Sequence, residues 1–551
     1  MKTNLEKALT AFLLAIALLL RSAHATYTFE PTYHDNGLKN IAFFAVWGGT
    51  SHSVWVLNIC DELGKRGHNV SYLTTDEQAK YGRPYQHVNT VAIGPGNYRM
   101  KDVGDNSIIK NLGRIGFMLR AFDMLYINYE RGMKINYFLA NDIDVAICDH
   151  FGEACVDAAT TLSIPYIVTS SMDFTKDSST PYVRTDVSSL DEPTTEFQSL
   201  ATRFYNGFIV PMKFVKIMFP TLRKLNDRKR AIGIDSKITD PSVKWQNALK
   251  LVNSAHGFSA PRPVGPLVEL VGPIIPREYP SLTESIKAFL DQHKRVAYIA
   301  FGQYSTPNKH DVNLVLTSLL ESIEKDYIDG FIWAAVSYDH LLPEAVTTSS
   351  GTVYPTEAIL NQTNSHARMF SWAPQVAILT HPSLHLFVSH GGLGSCYESI
   401  YAGKRMIMYP FFGDQPINSH MIEQNGLGAI LKYDYTVEES VNTIKRVALD
   451  QDGEIIRNVK RFQSLVQVRS KHSVVRGADA VEEVVYTHKN GVLPHRISAD
   501  HRMSFIKSHN IDIYSIFIML TFVILRTATF AVTRFVSYLL ALKAKNKIKT
   551  K

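Results

Sequence analysis

The chain has 551 residues, more than a single hydrophobic core usually holds, so two domains are expected. Its 45% hydrophobic and 20% charged residues are typical of a folded globular protein and exclude a disordered or fibrous chain. The net charge of +7 is carried by the ends: residues 1–25 carry +2 and residues 534–551 carry +6, which leaves −1 for residues 26–533. A near-neutral body offers no basic groove, so no nucleic-acid partner is expected.

The first 25 residues have the pattern of a secretory signal peptide. Lys2 and Lys7 precede an apolar run over residues 8–20, and Ala23 and Ala25 supply the small residues of a cleavage site. The apolar run is short for a membrane span, although a retained signal anchor stays open as the alternative.

Residues 26–259 alternate strand-like and helix-like segments, which predicts a Rossmann-like domain with a parallel sheet. The first predicted strand runs into a small-residue loop at 47–52, which an amphipathic helix follows. The predicted strands cover residues 41–46, 70–73, 144–148 and 166–169.

Residues 172–245 interrupt this alternation. They are rich in Ser and Thr at first, and then in aromatic and basic residues such as Phe208, Lys213 and Phe214. An irregular, partly membrane-facing insertion that shapes a pocket and ordinary helical packing both fit this composition. The Pro- and Gly-rich residues 260–276 predict a linker.

The alternation resumes in residues 277–490, which predicts a second Rossmann-like domain. Its predicted strands cover residues 296–301, 331–336, 367–372, 384–389 and 406–409. The expected architecture is therefore α/β, with two Rossmann-like domains that face each other across a cleft.

A single transmembrane helix is predicted over residues 513–533, after a juxtamembrane segment at 491–512. At about 1.5 Å per residue this run reaches roughly 30 Å, the thickness of a bilayer core, and its apolar residues can offset the charge of Arg526. Six basic residues follow the run, which predicts a cytosolic tail at 534–551 and a lumenal body.

The position of the last lysines also bears on localisation. Lys547 and Lys549 stand at −5 and −3, which resembles the dilysine signal of endoplasmic reticulum membrane proteins, while a polybasic tail that binds anionic lipid is the alternative. Sequons at Asn69 and Asn361 are compatible with a lumenal body.

The cysteines predict no disulfide framework. Cys60, Cys148, Cys155 and Cys396 are few and scattered, and no CxxC pair is present. Small buried thiols are the expected state of all four.

The segment around His390 predicts an anion site. A strand over 384–389 ends in His390-Gly391-Gly392, and a helix is predicted directly after it. The glycines allow close approach of the backbone, and the N–H groups of a helix N-terminus attract a phosphate. A tight turn without a ligand would produce the same short string, so neighbouring motifs must decide.

These motifs resemble the 44-residue signature of the UDP-glycosyltransferase family (glycosyltransferase family 1). The match runs without a gap from Trp372 to Gln415 and includes the Trp-Ala-Pro-Gln start and the His-Gly-Gly turn. The order of signal peptide, body, single span and basic tail is similar to that of the membrane-bound UDP-glucuronosyltransferase branch. The resemblance implies a GT-B fold, with the donor mainly on the C-terminal domain and the acceptor mainly on the N-terminal domain.

The resemblance also implies roles for residues of the second half. Trp372 would stack on uracil, Gln375 would help to hold uridine, and Glu398 would accept hydrogen bonds from the ribose hydroxyls. The implied diphosphate and sugar contacts are His390, Gly392, Gly394 and Ser395 for the diphosphate, and Asp414 and Gln415 for the sugar.

One position departs from the family pattern. The family usually has Gly-Ser after the first strand of the second domain, whereas residues 302–305 are Gly-Gln-Tyr-Ser. We therefore predict that Ser305 replaces the missing hydroxyl at the diphosphate.

In the first half, the loop that ends in His52 resembles the family loop that carries the general base, and Asp149 falls where the family has its partner aspartate. The implied mechanism is direct displacement with inversion: His52 takes the proton of an acceptor hydroxyl while Asp149 stabilises the imidazolium. The anion site would balance the charge of the leaving UDP, so neither a metal nor a cofactor is expected.

Three rival interpretations were weighed. A metal site at Asp142 and Asp144 is disfavoured, because this pair precedes a strand instead of following one. An oxidoreductase is disfavoured because the first loop lacks GxGxxG. A membrane-anchored pseudoenzyme that binds a nucleotide sugar or a lipid stays open as the alternative function.

The expected partners are a UDP-sugar and a small lipophilic acceptor such as a sterol, lipid or xenobiotic, reached from the bilayer. The identities of the sugar and of the acceptor are left open by the sequence, as is a homo-oligomeric state.

Overall fold

The computed structural model describes residues 8–13, 30–96, 135–171, 180, 182–183, 194–234, 244–258, 261–275, 277–303, 305, 307–334 and 339–549. It divides into two units, Met1–Leu38 and Lys39–Lys551. In the first unit residues 8–13 are helical and Tyr33–Asn36 form a 3-10 turn. The rest of the predicted signal peptide lies outside the described residues.

The first half of the larger unit contains a seven-stranded, all-parallel sheet among its described residues, in the order β3-β2-β1-β4-β5-β6-β7. Its strands are β1 (Asn40–Phe44), β2 (Asn69–Thr74), β3 (Val88–Ala92), β4 (Val145–Asp149), β5 (Tyr166–Ser170), β6 (Leu249–Val252) and β7 (Val268–Leu270). Every residue of β4 is buried, because helices cover both faces of the sheet. The strand order reverses between β1 and β4, and ligands of such sheets bind at this switch point.

The second half holds a six-stranded parallel sheet in the order β12-β9-β8-β13-β14-β15, and a separate hairpin of β10 and β11. The strands are β8 (Val296–Ala300), β9 (Gly330–Ala334), β10 (Ala345–Thr347), β11 (Val353–Pro355), β12 (Ala367–Phe370), β13 (Leu384–Ser389), β14 (Arg405–Met408) and β15 (Gly428–Ile430). The switch point lies between β8 and β13. Both predicted Rossmann-like domains are thus confirmed.

The helices of the first half are α1 (Thr50–Lys65), α2 (Ile135–Ala140), α3 (Glu153–Thr161), α4 (Leu200–Phe204) and α5 (Val210–Ala231). A π-helical turn at Tyr205–Ile209 joins α4 to α5, so residues 200–231 form one helical stretch. Helix thus replaces the irregular insertion that was one of the two predictions for this part of 172–245.

The second half contains α6 (Glu284–Gln292), α7 (Lys309–Glu324), α8 (Thr356–Leu360), α9 (Gln375–Thr380), α10 (Leu393–Tyr401), α11 (Gln415–Gln424), α12 (Val437–Leu449) and α13 (Glu454–Ser470). Their buried faces pack on the second sheet and on each other, in two clusters on its opposite sides.

Two predicted boundaries differ from the structure. The predicted linker at 260–276 contains β7, which pairs with β6 as the edge strand of the first sheet; its three residues are too short to stand out among prolines and glycines. Helix α14 (Ser473–Thr487), predicted within the second domain, packs on α1 of the first half. Arg66 donates to Glu482 (2.5 Å) and Asp479 (2.7 Å) at this contact. Periodicity indicates a helix but not the sheet that it covers.

The chain ends in α15 (Phe505–Ser508) and α16 (Ile511–Lys549). Within α16 the 36 residues Ile511–Asn546 are long and apolar enough to cross a membrane, and none of this stretch is buried in the protein. The helix includes the predicted span at 513–533 and continues through most of the predicted tail, so residues 534–549 are helical. At 1.5 Å per residue the stretch measures about 54 Å, which exceeds a bilayer core of about 30 Å.

Candidate functional site

The loop after β1 places His52 at the switch point of the first sheet. Gly48 and Gly49 adopt positive φ angles of 89° and 65°, and α1 begins at Thr50. A Cβ atom on Gly48 would lie 2.1 Å from Cδ2 of His52. Only glycine therefore leaves room for the imidazole against the backbone of the loop.

His52 and Asp149 form a hydrogen-bonded pair. Nδ1 of His52 lies 2.9 Å from Oδ2 of Asp149, which is buried at the end of β4. Burial alone would lower the pKa of His52, but the charge and hydrogen bond of Asp149 outweigh it and raise this pKa. Burial would raise the pKa of Asp149, yet His52 and His150 hold it well below its usual range. The aspartate thus stays charged and stabilises a protonated His52.

His150 and Phe151 complete this pair and were missed by sequence reasoning. The rings of His150 and Phe151 stack on His52, with centroids 4.9 Å and 5.2 Å away. Nδ1 of His150 lies 3.2 Å from the carbonyl oxygen of Thr169 and 3.5 Å from Oδ2 of Asp149. The backbone N–H of Phe151 donates to Oδ1 of Asp149 at 3.0 Å. Both residues directly follow Asp149 in the sequence, and this position was the one feature of the sequence that could have indicated their contact with the pair.

A disulfide bond joins Cys148 to Cys155, so the prediction of four free thiols was wrong. Cys148 lies in β4 and Cys155 in the first turn of α3, and the tight return of the chain brings their Cα atoms to 5.7 Å. The bond encloses the loop that carries Asp149. Cys60 and Cys396 are free and buried, as predicted.

In the second half, His390 lies at the end of β13, between two glycines. Cβ atoms on Gly302 and Gly392 would approach its Nε2 to 2.7 Å and 2.5 Å. Burial lowers the pKa of His390 to about 4. Its imidazole is therefore neutral at physiological pH and has a single N–H, for which the backbone of Ala300 competes with an anion.

The N-terminus of α10 is open toward this site. Its N-cap residue is Gly392, which has no side chain to occupy the first N–H groups, and a Cβ on the exposed Gly394 would meet nothing within 4 Å. Nε2 of Gln375 donates to Oγ of Ser395 (3.1 Å) and to Oε2 of Glu398 (2.7 Å). Burial raises the pKa of Glu398 to about 7, against the effect of that hydrogen bond. Gln375, Ser395 and Glu398 thus form one polar cluster beside the helix end.

Trp372 and Ser305, both in loops that follow strands of the second sheet, differ in exposure. Trp372 follows β12 and is 57% exposed, so a large flat face is available for stacking. Ser305 is buried, and its Oγ has no hydrogen-bond partner among the described residues. Its hydroxyl, in the loop after β8, therefore has unused hydrogen-bonding capacity.

Asp414 and Gln415 have different surroundings. Nδ2 of Asn418 donates to Oδ2 of Asp414 (2.8 Å) and to the carbonyl oxygen of Gly391 (2.9 Å), and so links Asp414 to the glycine turn. Burial raises the pKa of Asp414, and the charge of His52 opposes this shift. Asp414 is thus close enough to interact electrostatically with the base of the first half. Oε1 of Gln415 accepts the N–H groups of residues 411 and 412, which leaves only its NH2 group for a ligand.

Two places in the first half are relevant to metal binding: the group around His52 and the aspartate Asp144. His52, Asp149 and His150 hold ligand atoms within 4.8 Å of one another, which is close enough for a metal ion. Asp144 lies at the start of β4, where Oδ2 accepts the backbone N–H of Asn40 at 2.8 Å. Its carboxylate is therefore at the end of the strand opposite to Asp149.

The structure therefore brings the predicted residues together in two clusters, one at each switch point. The first holds His52 and Asp149. The second holds Gln375, His390, Gly392, Gly394, Ser395, Glu398, Asp414 and Gln415. Ser305 and Trp372 follow β8 and β12, at the same edge of this parallel sheet.

Comparison with known proteins identifies relatives across most of the chain. The family described as UDP-glucoronosyl and UDP-glucosyl transferase matches residues 135–549. A UDP-glycosyltransferase of Talaromyces amestolkiae is 27% identical over 84% of this chain and 92% of its own length. UDP-glycosyltransferase stmC of Aspergillus ustus is 28% identical over 83% and 90%.

A crystal structure of UDP-glucose: anthocyanidin 3-O-glucosyltransferase in complex with UDP has the same fold. It superimposes with a TM-score of 0.54 at 19% identity, and the match covers 82% of this chain and all of that one.

Proposed function

The chain belongs to the UDP-glycosyltransferase family and transfers a sugar from a UDP-sugar, and on this premise we propose that the transfer inverts the anomeric carbon and proceeds without a metal. The proposed acceptor group is a hydroxyl of a small lipophilic molecule, such as a sterol, lipid or xenobiotic.

The pair of His52 and Asp149 carries this proposal. Its 2.9 Å hydrogen bond engages Nδ1 of His52 and leaves Nε2 to take the proton of the acceptor hydroxyl. The acceptor oxygen then attacks the anomeric carbon, the bond to UDP breaks, and Asp149 stabilises the imidazolium. A single displacement by the acceptor itself inverts that carbon.

We propose that the donor binds at the second cluster. Trp372 stacks on uracil, and Gln375 with Glu398 holds the uridine. The diphosphate is bound by His390, Ser305 and the open N-terminus of α10, which together balance the charge of the leaving group without a metal. Asp414 accepts hydrogen bonds from the sugar.

The proposed membrane context rests on α16. An exposed apolar helix of this length is typical of a single-pass anchor, and the basic residues after Arg534 favour a cytosolic end and a lumenal body. The proposed location is the endoplasmic reticulum or another membrane of the secretory pathway. A body tethered to a bilayer meets lipophilic acceptors at high local concentration, which supports their choice.

The test measures UDP release from a panel of UDP-sugars with a pool of lipophilic alcohols, in the presence of EDTA. Acceptor-dependent release is expected for the wild type, and His52→Ala should lower kcat by about 10²- to 10⁴-fold while the Kd of the UDP-sugar stays within about twofold. His488→Ala, which removes the histidine directly after α14, is the control and should retain activity. The anomeric configuration of the product, read by NMR, tests inversion.

Two outcomes would contradict the proposal. Loss of activity in EDTA, restored by a divalent metal, would contradict the metal-independent mechanism. UDP-sugar binding without release from any donor and acceptor would favour the alternative, a pseudoenzyme that binds a nucleotide sugar or a lipid.

A further inference from the structure

The helical stretch 200–231 presents large apolar side chains to solvent. Phe208 is 61% exposed and Met212 is 69% exposed. The exposed side chains recur every three or four residues from the N-terminal end of α4 into α5. We call this set the apolar stripe: Leu200, Phe204, Phe208, Met212, Val215 and Phe219.

The other face of the same stretch is fixed to the body. Met218 and Leu225 are buried, and the buried ammonium group of Lys229 forms ion pairs with Glu153 and with Asp157, the latter at 2.8 Å. Both acids belong to α3, which follows Asp149. The fold therefore sets the orientation of α5, and the apolar stripe faces outward although the helix is well anchored.

Charge along this stretch has one sign up to residue 226, and Asp227 near the end of α5 is its one acidic residue. Residues 197–226 contain no Asp or Glu, and their basic residues are Arg203, Lys213, Lys216, Arg223 and Lys224, all exposed. An exposed apolar stripe is unfavourable in water, and a stripe bordered by cations matches the boundary between acyl chains and the phosphates of the lipid headgroups.

We propose that the apolar stripe inserts into the surface of the membrane in which α16 is anchored, with the helix in the plane of the leaflet that faces the body. The inference rests on the proposed anchor: α16 belongs to the same compact unit as α5, so the body is held within reach of a bilayer. The protein then touches the membrane at two places, one that spans it and one that lies on it. The second contact fixes the orientation of the first domain above the lipid.

The full chain, reconstituted as single copies in nanodiscs with anionic lipid, tests this surface by spin labelling. Labels are placed in Met212→Cys on the stripe, Ile524→Cys on α16, and Val468→Cys on α13, an exposed helical site of the second domain. The native free thiols of Cys60 and Cys396 are buried and should not react. Collision of each label with lipid-soluble oxygen and with a water-soluble nickel chelate reports its surroundings.

At position 212 the ratio of oxygen to nickel collisions should exceed that at position 468 severalfold and approach that at position 524. Lys213→Glu with Lys216→Glu should reduce the ratio at 212 in anionic discs and leave it unchanged at 524. A ratio at 212 equal to that at 468, with 524 in lipid, would overturn the inference and leave the anchor intact.

Two further outcomes would also overturn it. Protection of position 212 from both reagents would indicate cover by protein instead of lipid. Position 524 in water would remove the anchor and this surface together, whereas sugar transfer itself would be unaffected.

Discussion

The pH dependence of donor binding follows from the surroundings of Glu398. Burial raises the pKa of this carboxyl to about 7 in the free protein. The proposed ribose hydroxyls donate hydrogen bonds, which only the ionised carboxylate can accept in full. The donor should therefore bind the form of the protein in which Glu398 is ionised. Binding should then release the proton of Glu398, and the fraction released should grow as the pH falls toward 7.

The pKa of Glu398 sets the size of the change in Kd. If the protonated form does not bind, the apparent Kd should rise about tenfold between pH 8 and pH 6, which corresponds to about 1.4 kcal/mol. Near pH 7 about half a proton should be released for each donor bound. His390, with a pKa of about 4, stays neutral over this range and adds nothing to the dependence.

Isothermal titration calorimetry of a UDP-sugar in buffers of different ionisation enthalpy measures both quantities. A UDP-sugar is preferable to UDP, whose terminal phosphate titrates near pH 6 by analogy with other phosphomonoesters. Glu398→Gln is the matched variant: it should bind more weakly at pH 8 and lose the tenfold change between pH 6 and 8. Any smaller change that remains would come from Asp414 or His52, whose pKa values are also raised. Equal wild-type Kd values at both pH values would refute the reasoning, as would an unchanged pH dependence in the variant.

The other predictions concern the base. Asp149→Asn should lower the pKa of His52, since burial is then opposed only by the charge of Asp414. It should also reduce kcat by about 10²-fold or more with an unchanged donor Kd, which steady-state kinetics with binding data would check. His150→Phe keeps a stacked ring but removes a donor that competes with His52 for Asp149, so the pKa of His52 should rise. The acidic limb of the pH profile of kcat should therefore move to higher pH, and a shift of this limb to lower pH would contradict the prediction. Gly48→Ala should abolish most activity, because the added Cβ displaces His52. The control Gly94→Ala has a similar positive φ but open space around it, so it should lower the stability measured in thermal unfolding by about 1–2 kcal/mol and retain kcat.

The parallel strands were predictable from the sequence because each is a short apolar run bounded by turn residues. The contiguous signature from Trp372 to Gln415 predicted that most of the proposed donor residues lie on one sheet, since its spacing fixes a strand, a turn and a helix in order. These signals are local, and local patterns specify local structure.

The features that were missed depend on contacts between distant or folded segments. The disulfide between Cys148 and Cys155 requires that α3 turn back onto β4, and no spacing rule gives that. The stacking of His150 on His52 depends on how α1 packs at the end of β4. The position of α14 on the first half depends on the path of the whole second half.

That path has a consequence for biosynthesis. The core of the first half includes side chains of α14 and Leu493, and a Cβ on Gly477 would lie 2.4 Å from Cδ1 of Ile59 in α1, so the two helices are in close contact. At 5–20 residues per second, on the order of 10 to 40 s separate the synthesis of β7 from that of α14. During this interval the nascent first half has an incomplete core, and the apolar face of α1 is available to chaperones until nearly the whole chain has been translated.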